Sequence, residues 1–196
     1  MALAGLLSQR RFPGANLLDA LLNAPLVLPP TVLGYYLLVV LGRQSSLGRA
    51  YEALTGSTIV FTPTGATIAA SFAALPFVAR SARAALSSIE PRYPEAAATL
   101  GATPLRAFQR VLIPLASRGI LAGLTLGFAR ALGDFGVTLM VAGNIPGQTQ
   151  TASLAIYDAV QAGRDTQANG LAAILTALAV LSLYAVNRLA ARTRLP

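Results

Sequence analysis

Residues 170–189 read GLAAILTALAVLSLYAVNRL, a stretch in which Arg188 alone carries a charge. A helix on the surface of a soluble protein needs a polar face repeating every turn, and this stretch has none. The hydrocarbon core of a bilayer is about 30 Å thick and takes about 20 apolar residues of helix to cross. The stretch reads as a membrane span. Three others of similar length lie upstream, Leu17 to Gly42, Thr64 to Ala85 and Leu115 to Ala142. The implied fold class is an all-α membrane protein with about four transmembrane helices.

Composition agrees. Of 196 residues, 55% are hydrophobic and 11% charged, and mean hydropathy is +0.61, whereas soluble domains keep their apolar share near or below half. The fifteen basic residues are all arginines, and histidine and cysteine are absent. Disulfides, thiol chemistry and the usual His/Cys zinc sites are thereby excluded. A net charge of +8 would suit nucleic acid if the arginines lined one helix face, but they fall mostly between apolar stretches. Their pattern suits membrane orientation better. Arg10 and Arg11 precede the first stretch, Arg80, Arg83, Arg92, Arg106, Arg110 and Arg118 run from the end of the second to the start of the third, and Arg188, Arg192 and Arg194 close the chain. Basic residues favour the cytoplasmic side, so four alternating spans place both termini and the 80–118 region in the cytoplasm. Segments 43–63 and 143–169 then lie outside.

Prolines predict irregularity within the spans. Pro25, Pro29 and Pro30 should kink or break the first stretch, and Pro76 the second, because each removes a backbone donor. Met1 to Leu7 is apolar but too short to span and too short for a signal-peptide core; it reads like the tail of a helix whose beginning is absent.

The segment between the second and third stretches, EPRYPEAAATLGATPLRAFQRVLIP at 90–114, encodes two short helices. Pro94 suits a first helical position, Glu95 favours the positive end of that helix, and Gly101 can take the left-handed conformation that stops it. Thr103 is then an N-cap and Pro104 a first position for the second helix. Leu105, Phe108 and Leu112 recur there at spacings of three and four, with Arg106, Gln109 and Arg110 opposite. Such a helix suits either a groove in a partner protein or lipid headgroups.

The run Glu95-Ala96-Ala97, then Gly101, then Val111-Leu112-Ile113-Pro114 resembles the EAA signature of ABC importer permeases. In that family the loop, here 86–114, docks on a cytoplasmic ATPase. The resemblance assigns ATPase coupling to Glu95, Ala96, Ala97, Gly101, Leu105, Arg106, Phe108 and Pro114. Three further segments, Phe12-Pro13-Gly14 leading into Ala24 to Tyr35, Phe128 to Gly136, and Gly143 to Thr151, resemble molybdate permeases more closely than the sulfate and tungstate ones. On this resemblance residues 1–196 form a single permease domain lacking most of a first helix that family members carry.

Arg130 and Asp134 stand one helical turn apart in an apolar stretch. A charge at mid-membrane costs about 2.5–3.5 kcal/mol on insertion scales, so both should face protein or water. The pair reads either as mutual neutralisation that supports packing or as part of a path or gate, with Arg130 attracting an oxyanion and Asp134 restraining it. Gly133 and Gly136 would permit close helix approach in both cases, and Thr138 joins the candidate path. Gly143 to Thr151 is a turn-rich segment leading to a short amphipathic helix, Ala152 to Val160, whose Leu154, Ile156 and Tyr157 could rest on the membrane or pore mouth; a plain connecting loop is the alternative.

The chain has no phosphate-cradling Gly-x-x-x-x-Gly-Lys loop and no lysine, so nucleotide chemistry falls to another protein. The resemblance implies a permease rather than an enzyme, with no cofactor or metal of its own and ATP and magnesium on the ATPase. It also implies a second permease copy, two cytoplasmic ATPases, an extracytoplasmic molybdate-binding protein and lipid as partners, without nucleic acid, in a bacterial inner membrane. Sulfate, thiosulfate or tungstate import is the rival within transport, and a membrane anchor that transports nothing is the rival outside it.

Overall fold

The computed structural model describes residues 15–192; Met1 to Leu7, Arg10, Arg11, the Phe12-Pro13-Gly14 segment and Arg194 lie outside the described residues. Among the described residues nine helices and no strand occur: α1 (Ala15–Val27), α2 (Pro30–Leu41), α3 (Ser46–Thr55), α4 (Pro63–Ser87), α5 (Arg92–Thr99), α6 (Pro104–Leu132), α7 (Gly136–Ala142), α8 (Ala152–Gln161) and α9 (Asp165–Arg192). Three segments, Pro63–Ser87, Pro104–Leu132 and Asp165–Ala185, are long and apolar enough to cross a membrane, and α2 is a shorter apolar helix.

The expected Leu17 to Gly42 span is divided. Pro25 is carried inside α1, but the adjacent Pro29 and Pro30 end one helix and start another. Leu28, preceding a proline, is driven from helical geometry, and Pro29 adopts an extended ψ of 138° before Pro30 opens α2. The Pro29 carbonyl accepts from the N–H groups of Val32 and Leu33, so the new helix is closed at its first turn. At 12 residues, α2 is about 18 Å long at 1.5 Å per residue. Pro76 behaves differently: α4 runs its full 25 residues through it, with the ring buried.

Side-chain caps mark most other starts. Ser45 accepts from Gly48 N–H, Thr62 from Gly65 and Thr151 from Leu154, each satisfying a donor left free at a helix N-terminus. The Ala152 to Val160 helix exists as α8; of the three apolar residues singled out, Leu154 is buried, Ile156 half-buried and Tyr157 exposed. Leu154 and Ala159 are fully buried, and the Ser153 hydroxyl donates to Leu132 O, at the end of α6, at 3.2 Å.

α4 and α6 form the central pair. Gly119, Gly123 and Gly127 recur every four residues along α6, and a side chain at any of them would collide with α4: Gly119 abuts Ala85, Gly123 abuts Ser81, and Gly127 abuts Val78 and Ala74. Small residues let two backbones approach closely, the main source of packing attraction where lipid tails remove the hydrophobic drive between helices. The Ser81 hydroxyl adds a bond to Gly119 O at 2.9 Å. Apolar clusters flank this contact at the two ends of α4. One joins Ala69 and Ala73 to Leu33, Leu37, Val137 and Val141; the other joins Ala82 and Leu86 to Leu112, Ala116 and Ile120. Leucine, valine and aromatic side chains stay exposed on α2, α6 and α9, among them Tyr35, Val39, Leu124, Phe128, Ile174 and Leu181. An apolar surface this extensive needs lipid or another chain to cover it.

Candidate functional site: two polar elements joined by one helix

At the start of the loop between α4 and α6, Glu90 pairs at 2.7 Å with Arg92, the first residue of α5, so Pro94 takes the third helical position and not the expected first. Gly101, with φ of +77°, terminates α5 in a double closure: its N–H donates to Ala98 O and the Ala102 N–H to Ala97 O. This is the hydrogen-bond pattern of a Schellman stop, and it requires a residue that tolerates positive φ. Ala97 is buried, whereas Glu95, Ala96, Ala98, Thr99 and Leu100 face outward. Thr103 caps the start of α6 as expected, accepting from Arg106 N–H at 3.4 Å.

The second short helix expected in this loop is not a separate element. From Pro104 the chain stays helical to Leu132, 29 residues in all, because a π-helical turn at Phe108–Leu112 carries it up to Pro114. There the Ile113 N–H reaches back five residues to Phe108 O. Local π geometry rearranges the carbonyl ladder where a proline lacks its donor. The Leu105, Phe108 and Leu112 stripe is consequently divided between two roles. Leu112 is buried and Phe108 half-buried against Leu86 and Ile89 of the α4 end, while Leu105 stays 65% exposed. Arg106, Gln109, Arg110 and Pro114 are exposed.

At the far end of α6 the expected Leu115 to Ala142 span is also interrupted. α6 stops at Leu132, Gly133 caps it, and α7 starts afresh at Gly136. Asp134 occupies the break. Its carboxylate is buried, with a side-chain exposure of 1%. Oδ2 accepts from Thr138 N–H at 2.9 Å and from Thr138 Oγ1 at 2.7 Å, and Oδ1 accepts from Arg130 NH1 at 3.2 Å. A buried carboxylate needs such a shell, since desolvation without partners costs several kcal/mol. The Arg130 side chain keeps 32% exposure. Gly136 makes the close approach expected of it, against Pro30 of α2. Gly133 does not: a Cβ there would meet nothing nearer than 3.8 Å, so it caps rather than packs.

The residues singled out in the sequence therefore form two groups. Glu95 to Pro114 lie on α5 and the first turns of α6, and Arg130, Asp134, Gly136 and Thr138 at the far end of α6 and beyond it; Pro114 and Arg130 are about 24 Å apart along the helix at 1.5 Å per residue. Sequence reasoning missed two features. One is the Gly119, Gly123, Gly127 stripe, legible as small residues repeating every four positions. The other is the polar cluster of the 143–169 segment, where Asn144 Nδ2 donates to Asp158 Oδ1 at 2.9 Å and Gln150 Nε2 donates to Asp158 Oδ2 at 2.9 Å. Among the described residues no group of three or more His, Cys, Asp or Glu side chains could hold a metal ion.

Solved structures with this architecture include a MetNI methionine ABC transporter in inward facing conformations, with a TM-score of 0.70, 20% identity, and coverage of 97% of this chain and 84% of that one. A bacterial ABC transporter importing the acidic polysaccharide alginate gives a TM-score of 0.73 at 15% identity, over 99% of this chain and 72% of that one. In sequence the chain is 42% identical over 192 residues to the molybdenum transport system permease protein ModB of Escherichia coli, covering 97% of this chain and 84% of that protein. It is 36% identical to the sulfate transport system permease protein CysT of Salmonella typhimurium, covering 98% of this chain and 69% of that protein. The profile described as binding-protein-dependent transport system inner membrane component matches residues 1–194, and the chain belongs to that family.

Proposed function

We propose that this chain is the permease subunit of an ATP-driven molybdate importer. Two copies enclose the path, a separate ATPase binds ATP and magnesium and docks on the 92–114 loop, and an extracytoplasmic binding protein delivers the oxyanion. The observation that carries this reading is the continuity of α6. One helix starts in the exposed loop, where Gly101 and Thr103 fix its entry, and ends at the buried Asp134 cluster from which α7 departs. A displacement of the first turns of α6 by a partner reaches the Asp134 break along one continuous helix, and packed elements shift between discrete arrangements rather than bending continuously. The break is where such a shift would open or close a path.

Arginine distribution supports a cytoplasmic loop and C-terminus. The molybdenum relative supports the substrate, being 42% identical; sulfate is the second reading, favoured by the 36% identity to CysT across 98% of this chain. In the coupling role, Glu95, Ala96 and Leu105 offer the outward surface and Arg106 the charge, while Ala97, Gly101, Phe108 and Pro114 hold the shape that presents them.

Because the chain contains no cysteine, Leu100→Cys introduces a unique thiol at a position 87% exposed. In membranes containing the neighbouring ATPase, a short bifunctional reagent joins that thiol to the ATPase, and ATP changes the yield. Equal cross-linking from a thiol placed in the 143–151 segment would overturn the docking assignment.

A further inference from the structure

A hydroxyl-bearing line on α4 lies where α6 ends. Thr67, Ser71, Ala74, Val78, Ser81 and Ala85 follow spacings of four and three, which places them along one face of a helix. Ala74, Val78, Ser81 and Ala85 are the residues that the α6 glycines meet. The pairings run Gly119 with Ala85, Gly123 with Ser81 and Gly127 with Val78 and Ala74, so the two helices are antiparallel in this register. Continuing it by three residues sets Arg130 level with Ala74, with Ser71 one turn further along α4 and Thr67 two turns. Arg130 also continues the α6 stripe 119, 123, 127 at a spacing of three, on the side turned to α4. Two residues later α6 stops, and α7 packs on α2, through Gly136 against Pro30 and Gly34 against Met140, and on the opposite face of α4, through Val137 and Val141 against Ala69 and Ala73. The α4 line is left uncovered there, and Thr67 and Ser71 are both exposed.

We propose that Thr67 and Ser71, with Arg130, form an oxyanion contact in the translocation path. This inference rests on the reading of the chain as an oxyanion permease. A tetrahedral dianion is held by hydroxyl donors and by a guanidinium, whose planar fork matches paired anionic oxygens. The Thr67 hydroxyl now donates to Pro63 O at 2.9 Å and the Ser71 hydroxyl to Thr67 O at 2.7 Å. Both are single rotors, and both carbonyls already serve the helix, so turning outward exchanges a weak bond for a charge-assisted one. Arg130 carries five donors, and the bond to Asp134 uses one. The Asp134 charge offsets that of Arg130, so the contact attracts the anion without trapping it, as conduction requires. A back-bonded hydroxyl is tolerated anywhere on a spanning helix, and Ser182 on α9 makes the same bond, to Leu178 O at 2.7 Å. Position on the line that Arg130 faces, within two turns of it, sets the α4 pair apart.

The experiment uses proteoliposomes holding the complete transporter with its ATPase and binding protein, and reads uptake of radiolabelled molybdate and of sulfate beside ATP hydrolysis. The double variant Thr67→Val with Ser71→Ala is expected to lose about tenfold in oxyanion uptake, with hydrolysis still stimulated by the loaded binding protein. Ser71→Thr, which keeps a hydroxyl, loses less uptake than Ser71→Ala, and Ser182→Ala transports like the parent. Parent-like uptake by the double variant, or an equal loss from Ser182→Ala, overturns the contact while leaving the permease reading intact. A parent that carries sulfate and not molybdate overturns the substrate named above, and a double variant defective in that sulfate uptake still supports the contact. A parent that carries neither oxyanion overturns both.

Discussion

The Asp134 carboxylate holds Thr138 twice, accepting from its backbone N–H at 2.9 Å and from its hydroxyl at 2.7 Å. Both bonds reach across the junction between α6 and α7, so this carboxylate fixes how the second helix leaves the first. Its other oxygen meets Arg130. Removing the side chain orphans a buried N–H and frees a cation in an apolar setting. Asp134→Ala is expected to cost about 3 kcal/mol of stability and Asp134→Asn, which retains an acceptor, about 1 kcal/mol. Detergent-driven unfolding of the purified chain measures both, and an alanine variant as stable as the parent would contradict the assignment.

Close contact along α6 gives a second expectation. Gly123→Leu forces α6 away from Ser81, where even a Cβ would lie 2.6 Å from the serine Cβ, and no flexible side chain is there to yield. Folded protein recovered from membranes should fall severely. Gly133→Ala meets open space and should accumulate at the parent level. Equal yields for the two glycine variants would sink the packing account.

Leu105 and Phe108 separate docking from folding. Phe108 packs beside Leu86 and Leu112, so Phe108→Ala should cost about 2 kcal/mol, less than a fully buried phenylalanine. Leu105 is 65% exposed, and Leu105→Ala should leave the unfolding midpoint in place while weakening ATPase capture. The reverse pattern would show that the stripe faces the other way.

Positive φ at Gly101 makes a further test. A β-branched residue costs about 1–2 kcal/mol in that conformation, although a Cβ there would touch nothing. Gly101→Val should weaken ATPase capture about tenfold, and Gly101→Asn less, since asparagine accepts the left-handed region. Unchanged capture by the valine variant would remove the Schellman stop from the docking geometry.

Much of this architecture is legible before any coordinates. The long apolar stretches, the stop at Gly101, the Thr103 cap and Pro104 at a first helical position all report local physics that nothing tertiary overrides. The errors share one cause. Proline and glycine mark places where a helix can break, but neighbours decide whether it does. Pro114 is absorbed by a π turn and Pro76 by a helix that buries its ring, whereas Pro29 with Pro30 and Gly133 with Asp134 interrupt helices that apolarity alone would extend. Asp134 is visible in the sequence as an i to i+4 partner of Arg130, and that bond exists. Its larger commitment, to Thr138, depends on a break that no periodicity announces. The Thr67 and Ser71 line acquires meaning only from the antiparallel register that the α6 glycines set.

The central claim is oxyanion import through this subunit, and ATP-dependent uptake of radiolabelled molybdate into proteoliposomes, with the ATPase, the binding protein and excess unlabelled sulfate present, tests it most directly. The account predicts uptake that requires ATP and resists sulfate. Uptake abolished by sulfate, or no uptake from a correctly assembled complex, would contradict it.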